Sequence, residues 1–484
     1  SFGSASGVEL CEPLTFKGRM GSGVPGGRNG YADESLTPEG GQSADWKKYR
    51  YTYRVWGRCT YSPETDPDGW RRYLRHEFGQ DASHAEEALA SASRILLLIT
   101  TAYGPSANCK MYWPEVYTNM PLVSEVGHPY TDTFSPKRFG NASSLDPELF
   151  ASVDEFAEEV LTGNRSGRYS PLDVARWLDS FATTATNSLS RWPSTLPPSA
   201  LRGEGQGEKT LPIQEQGEKG ISPEARRWQA DIAIQASLGQ FFADKLRAGL
   251  AYAFYCRTGD QASLREALDS YRSARGAWAA AAAHGRVYRD DLTFGPEPWQ
   301  RGHWADRLPA IDADIAAMEA HLAQGRRQVN GETTASSAGQ RSSRDLLSFT
   351  RDGAPCPAEV LVEHTPPASF ARGEPVSIEV AVAPVNASLV PAPVSVQLRY
   401  RHANQAEAYE MVEMQAETAP EANQDDGAKP IRYRATIPVT YTDSPYPLVY
   451  FFHIRDASDR AWLHPGLDET LSNQPYYLLR QVPH

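Results

Sequence analysis

The stretch VNGETTASSAGQRSSRD, Val329 to Asp345, divides the chain into two kinds of sequence. Its residues are small and polar and offer little to bury, which marks a linker. On its N-terminal side apolar residues recur at spacings of three and four, the period of one helix face. On its C-terminal side they alternate, the period of a strand with one buried face. The chain therefore reads as multidomain α + β. Residues 1–43 form a strand end and glycine-rich loop, 44–330 an α-helical domain, 331–352 the linker and 353–484 a β-sandwich domain.

Working back from the linker, helices are expected at Trp304–Leu322, Ala262–His284, Pro223–Tyr255, Pro171–Leu189 and Pro147–Leu161. The segment 193–220 is a long polar loop. Asp66 followed by Pro67 reads as an N-cap with proline at the first helical position, and Asp81 as the cap of a further helix. Trp46, Tyr49, Tyr53 and Trp56 fall at helical spacing as an aromatic stripe, which reads first as core. Alanine-rich interfaces between so many helices predict an antiparallel bundle or array.

Working forward, Val376, Ile378, Val380 and Val382 alternate with polar or small residues. So do Val394, Val396, Leu398 and Tyr400, and Ile431, Tyr433, Ala435 and Ile437. PLVYFFHIRD, residues 447–456, is a strand that is apolar throughout. Short strands at this spacing predict an antiparallel, immunoglobulin-like β-sandwich.

The bulk numbers restrict function. The chain has 484 residues, 40% of them hydrophobic and 22% charged, with a net charge of -12. That acidity argues against a nucleic-acid partner, whose backbone needs clustered lysine and arginine. The longest apolar run, Ile95 to Ile99, is far short of the roughly 18 residues of a membrane span. Cys11, Cys59, Cys109, Cys256 and Cys356 are scattered and lack C-x-x-C spacing, so neither a zinc site nor a disulfide framework is expected. The sequence opens at Ser1 without an initiator Met or a charged-then-apolar signal pattern, which reads as a mature or truncated start.

Several motifs look chemical. Gly21–Gly26, GSGVPG, fits G-x-G-x-x-G, but Pro25 interrupts it and no helix follows to hold a pyrophosphate. His76, Glu77 and His84 lack the H-E-x-x-H spacing of a zincin. No metal or other cofactor is expected. VELCEPLTFKGR, Val8 to Arg19, is more informative, because it resembles the carboxyl end of a barrel strand feeding its loop, where barrel enzymes place reactive groups. There Glu9 and Glu12 are candidates for acid, base or acceptor of sugar hydroxyls, and Lys17 or Arg19 for holding a substrate carboxylate. An ordinary charged surface loop is the competing reading. In WKKYRYTYRVWGR, Tyr53 and Arg54 are candidates for a sugar subsite. YWPEVYTNMP contributes Trp113, Glu115 and Asn119, and WQRGHWADRLPAID contributes His303, both near helix ends where a cleft can form. A lone histidine such as His303 is more often a satisfied structural group.

Four stretches together resemble a family. GVELCEPLTFKGRMGSG, YRYTYRVWGRCTYSPETDPDGWRRYL, YWPEVYTNMP and IPVTYTDSPYPLVYFFHIRD…NQPYYLLRQ look like the C-terminal part of large bacterial glycoside hydrolases related to alpha-glucuronidases. Tyr51–Pro63, YTYRVWGRCTYSP, is similar to the motif Y…YVFGRLAWDP that follows the barrel in that family. The resemblance implies a short (β/α)8-barrel remnant at the N-terminus, with the main catalytic barrel missing from this chain and its catalytic residues unknown. It further implies a uronic-acid-containing polysaccharide or oligosaccharide substrate, a homodimer formed through the helical domain, and a periplasmic or secreted setting. Two other readings stay open. One is a polysaccharide lyase of helical-toroid plus β-sandwich type, recruiting Asn119, His303, Tyr117 and Arg54. The other is a non-catalytic glycan-binding scaffold.

Overall fold

The computed structural model describes residues 30–38, 42–62, 64–103, 119–123, 138–192, 222–290, 302–329, 360–384, 393–404, 406–417, 430–456 and 460–482. The expected barrel strand at Val8–Leu10, the loop 193–220 and the linker 331–352 lie outside them. The described part is α + β, with the longer helices up to residue 329 and antiparallel sheets from residue 360, where one short helical turn, Val439–Thr442, joins two strands.

The helices are α1 (Arg50–Tyr61), α2 (Asp68–Phe78), α3 (Ala82–Ala102), α4 (Val153–Thr162), α5 (Pro171–Arg191), α6 (Pro223–Thr258), α7 (Gln261–His284) and α8 (Leu308–Val329). Their starts follow from capping chemistry. Ser152 accepts from the Glu155 N–H at 3.3 Å while Glu155 accepts from the Ser152 N–H at 2.8 Å, so this helix begins at Val153 rather than at Pro147. Ser170 and Asp173 make the same reciprocal pair ahead of α5, with Pro171 in the first turn. Asp260 caps α7 by accepting from the Ser263 N–H at 2.8 Å. Helices α4 and α6 end at Gly163 and Gly259, whose φ of 78° and 73° suits glycine.

Helix α6 is the axis of the array. Its 36 residues span about 54 Å. It is buried on every side, against α7 and α5 above all and also against α3 and α4. A Cβ on Gly239 would come within 2.9 Å of Ile95 and 3.3 Å of Ala182, so this glycine lets α3 and α5 close onto α6.

The aromatic stripe does not form a core face. Residues Gln42–Tyr49 are a 3₁₀ helix, which turns every three residues, so the spacing drifts at the junction with α1. Trp46 is 46% exposed and α1 buries none of its residues fully. The side chain that α1 turns inward is Tyr51, edge-on to Trp228 of α6 with ring centroids 5.5 Å apart.

The strands are β1 (Val360–Glu363), β2 (Val376–Pro384), β3 (Pro393–His402), β4 (Glu410–Glu413), β5 (Gln415–Ala416), β6 (Ile431–Ile437), β7 (Leu448–Asp456), β8 (Ala461–His464) and β9 (Tyr477–Leu479). They form two antiparallel sheets, ordered β1-β2-β6-β5 and β4-β3-β7-β8, with β9 also on β7. Ile378, Val380, Tyr433 and Ile437 of the first sheet share one core with Val396, Leu398, Tyr450 and Phe452 of the second. Strand β7 is buried on both faces. Leu448, Tyr450, Phe452 and Ile454 point into the sandwich, while Val449 and Phe451 belong to the core of the helical array.

Polar contacts seal the junction. Arg401 of β3 donates to Asp146 at 2.8 Å, each side chain only 7% exposed, and its guanidinium lies 4.2 Å from the Tyr409 ring centroid. Arg455 donates to the Arg165 carbonyl at 2.7 Å, and the Leu467 N–H donates to the Tyr169 hydroxyl.

Candidate functional site

A groove of about 930 Å³ lies between α1, α2 and α3. Residues four apart on a helix share a face, so Tyr51 and Val55 of α1 look across at Trp70 and Leu74 of α2, with Arg71 and Arg75 beside them. Helix α3 supplies Ser83, His84, Glu86 and Glu87.

Glu86 organises the groove. It accepts from the Tyr51 hydroxyl at 2.9 Å, from Trp70 Nε1 at 3.2 Å and from Arg71 Nε at 2.8 Å. Both aromatic rings are thereby fixed, and burial together with the Glu86 charge pushes the Tyr51 hydroxyl well above the ordinary phenol range. The half-exposed Arg71 engages Glu86 through Nε, which leaves its two terminal nitrogens for a ligand. Arg75, also half-exposed, donates one nitrogen to Asp68 at 2.6 Å. Such a site can stack a ring against Tyr51 and Trp70 and hold an anion at the arginine edges.

Of the residues singled out from sequence, Glu9, Glu12, Lys17, Arg19, Trp113, Glu115 and Tyr117 lie outside the described residues. Tyr53 and Arg54 are on α1 but not in the groove lining, and Arg54 packs over the Tyr73 ring at 5.1 Å. Asn119 is buried. Its Oδ1 accepts from Lys245 Nζ at 2.9 Å and lies 3.2 Å from the Tyr271 hydroxyl. That hydroxyl is in turn 2.9 Å from Asp314, which accepts from the Leu122 and Val123 N–H groups at 2.7 and 2.9 Å. This network ties residues 119–123 to α6, α7 and α8. His303 caps the turn Trp304–Arg307: Nδ1 accepts from the Ala305 N–H, and Nε2 is 2.8 Å from the Gly285 carbonyl oxygen. Arg54, Asn119 and His303 thus have separate local partners and form no common constellation.

The sequence pattern points to Tyr53 and Arg54, whereas the groove is lined by Tyr51, Trp70, Arg71 and Glu86. The available signal was the i, i+4 pairing of Tyr51 with Val55 and of Arg71 with Arg75. The 3₁₀ segment before α1 hid which face pointed inward.

No family model matches this chain, and no curated protein resembles it in sequence. Among solved structures there is a likeness to a GH138 enzyme targeting pectin rhamnogalacturonan II. Its TM-score is 0.43 at 10% identity, over 81% of this chain and 47% of that one. The chain therefore spans about half the length of that enzyme. A second likeness is to the Pseudomonas fluorescens alkylpurine DNA glycosylase AlkC bound to DNA containing an abasic-site analog. There the TM-score is 0.17 at 12% identity, over 68% of this chain and 95% of that one. Scores this low carry no argument about activity. No described helix is long and apolar enough to cross a membrane.

Proposed function

We propose that this chain is the helical and β-sandwich portion of a carbohydrate-active enzyme of glycoside-hydrolase type. In this reading the groove between α1, α2 and α3 binds a uronate-containing oligosaccharide or polysaccharide. The observation that carries it is the pairing of two fixed aromatic rings, Tyr51 and Trp70, with the guanidinium edges of Arg71 and Arg75. Aromatic faces suit the C–H face of a pyranose, and a guanidinium suits a carboxylate through two parallel hydrogen bonds. The acid and base carboxylates that hydrolysis needs are assigned to a (β/α)8 barrel, with Glu9 and Glu12 bordering it. The sandwich order β1-β2-β6-β5 against β4-β3-β7-β8 supports an immunoglobulin-like assignment, matching A-B-E-D against C′-C-F-G.

The test is a titration of the chain with glucuronate-bearing xylo-oligosaccharides and oligogalacturonates, alongside the same oligomers with their carboxyls reduced to alcohols. Acidic oligomers should bind more tightly, and Arg71→Ala should weaken them by about tenfold, the value of one charge-assisted contact. Equal binding of acidic and reduced oligomers, or indifference to Arg71→Ala, overturns the assignment of the groove.

A further inference from the structure

The hairpin of α1 and α2 departs in charge from the rest of the chain. Residues 46–78 hold eight lysines and arginines against four aspartates and glutamates, a net charge of +4 in a chain whose net charge is -12. Arg71 and Arg75 of this set line the groove. Two more, Arg54 and Arg58, are exposed on α1 outside the groove lining, and neither has a carboxylate partner among the described residues. The two carboxylates on these helices are already engaged. Asp68 pairs with Arg75 at 2.6 Å and Arg72 at 3.5 Å, and Glu77 pairs with Arg50 at 3.3 Å.

Position joins Arg58 to the groove. Residues 51, 55 and 58 are four and then three apart, so Arg58 continues the face of α1 that carries Tyr51 and Val55. Its guanidinium reaches across to the first turn of α2. A Cβ on Gly69 would lie 3.4 Å from Arg58 Nη1, and the next two residues, Trp70 and Arg71, line the groove. Arg54 is one turn back along α1, about 6 Å away along the axis. Its guanidinium lies 5.1 Å from the Tyr73 ring centroid, and contact with a ring leaves its edge donors for an anion. Tyr61, three residues beyond Arg58, is 93% exposed and adds an aromatic face at the same end of the hairpin.

Guanidinium groups thus follow one another from Arg75 and Arg71 in the groove, past Trp70, to Arg58 and Arg54 on α1. A ligand with one carboxylate engages one or two of them. A ligand that repeats a carboxylate along its length can engage all four, and charge complementarity favours it.

We propose that this surface extends the groove into a track for a run of adjacent uronic acids, so that the substrate class is a polyuronate rather than a neutral glycan with isolated uronate branches. The proposal rests on the groove reading above, because Arg71 and Arg75 hold the first residues of the run. Arg58 and Arg54 hold the carboxylates that follow.

The test measures binding to the full chain by calorimetry. The probes are oligogalacturonates of two to about six residues, a xylo-oligosaccharide with a single glucuronate branch, and an oligothymidylate of similar charge to the galacturonate hexamer. Affinity should rise with oligogalacturonate length by about tenfold for each carboxylate that gains a guanidinium, and level off at about four residues. Arg54→Gln combined with Arg58→Gln should leave the helical circular dichroism unchanged, because both side chains are exposed. It should abolish the gain beyond two residues and weaken the hexamer by about tenfold or more. The same double variant should bind the singly charged xylo-oligosaccharide as the wild type does. A hexamer that binds no tighter than the dimer, or a double variant that keeps the wild-type length dependence, overturns the proposal. So does an oligothymidylate that matches the hexamer and loses affinity in the double variant, since the surface would then recognise polyanions of any backbone. If Arg71→Ala weakens the branched oligomer while the double variant changes nothing, the track has failed and the groove reading stands. If Arg71→Ala changes neither oligomer, the groove reading has failed and the track falls with it.

Discussion

Strands β6 and β7 lie in opposite sheets of one sandwich and are buried in different ways. Strand β6 alternates: Tyr433, Ala435 and Ile437 are buried, while Arg432, Arg434 and Thr436 are exposed. Strand β7 is buried from Leu448 through Ile454, and only Arg455 is partly exposed. The reason is what lies outside each sheet. The outer face of β6 is exposed, so its residues there are polar, and Arg434 pairs with Glu379 and Glu417 at 2.6 and 3.0 Å while all three side chains stay about half exposed. Beyond β7 is the helical array, which takes Val449 and Phe451 into its own core. A strand that is apolar on both faces is thus the mark of a sheet covered twice.

The largest effect should come from Phe451→Ala, which opens a cavity in the junction between array and sandwich. It should cost about 3–5 kcal/mol in urea-induced unfolding. It should also separate the unfolding of the helices, followed by circular dichroism, from that of the sandwich. If the two still unfold together at an unchanged midpoint, β7 is not the seam described here.

A pH effect comes next. Burial, with the nearby Arg399 and Arg455, pushes the β7 residue His453 down to about 4 from an ordinary 6.5. An imidazole lowered on folding adds stability that is complete above its unfolded value and lost as pH falls toward the folded one. Stability should therefore decline between about pH 6.5 and 4, by on the order of 2–3 kcal/mol for this residue. His453→Gln should flatten that slope in urea midpoints taken across the window. An unchanged slope would show that β7 does not hold its histidine neutral.

The smallest effect belongs to β6. Arg434→Ala removes two surface ion pairs whose side chains are about half exposed. It should change stability by no more than about 0.5 kcal/mol. A larger loss in thermal unfolding would mean that the outer face of β6 is covered after all.

Much of the fold was readable in residue order. The alternation of β2 and β6 is a local pattern, and local geometry obeys it, whereas Asp81, expected as a cap, makes no side-chain cap hydrogen bond to the helix that follows it. The continuous apolar run of β7 was also visible, but not what its second face touches, because a packing partner some 300 residues away leaves no periodic trace. The site was read less well. Residues Gln42–Tyr49 are 3₁₀ and α geometry begins at Arg50, so helical spacing across that junction does not show that Tyr51, rather than Tyr53 or Arg54, lines the groove.

Most of the secondary structure and the change from helices to strands were settled along the chain, because they depend on neighbours within four residues. The groove and the two-sided burial of β7 came from packing. Each needs side chains from separate elements within a few ångströms, and that proximity exists only once α6 has drawn the other helices around it.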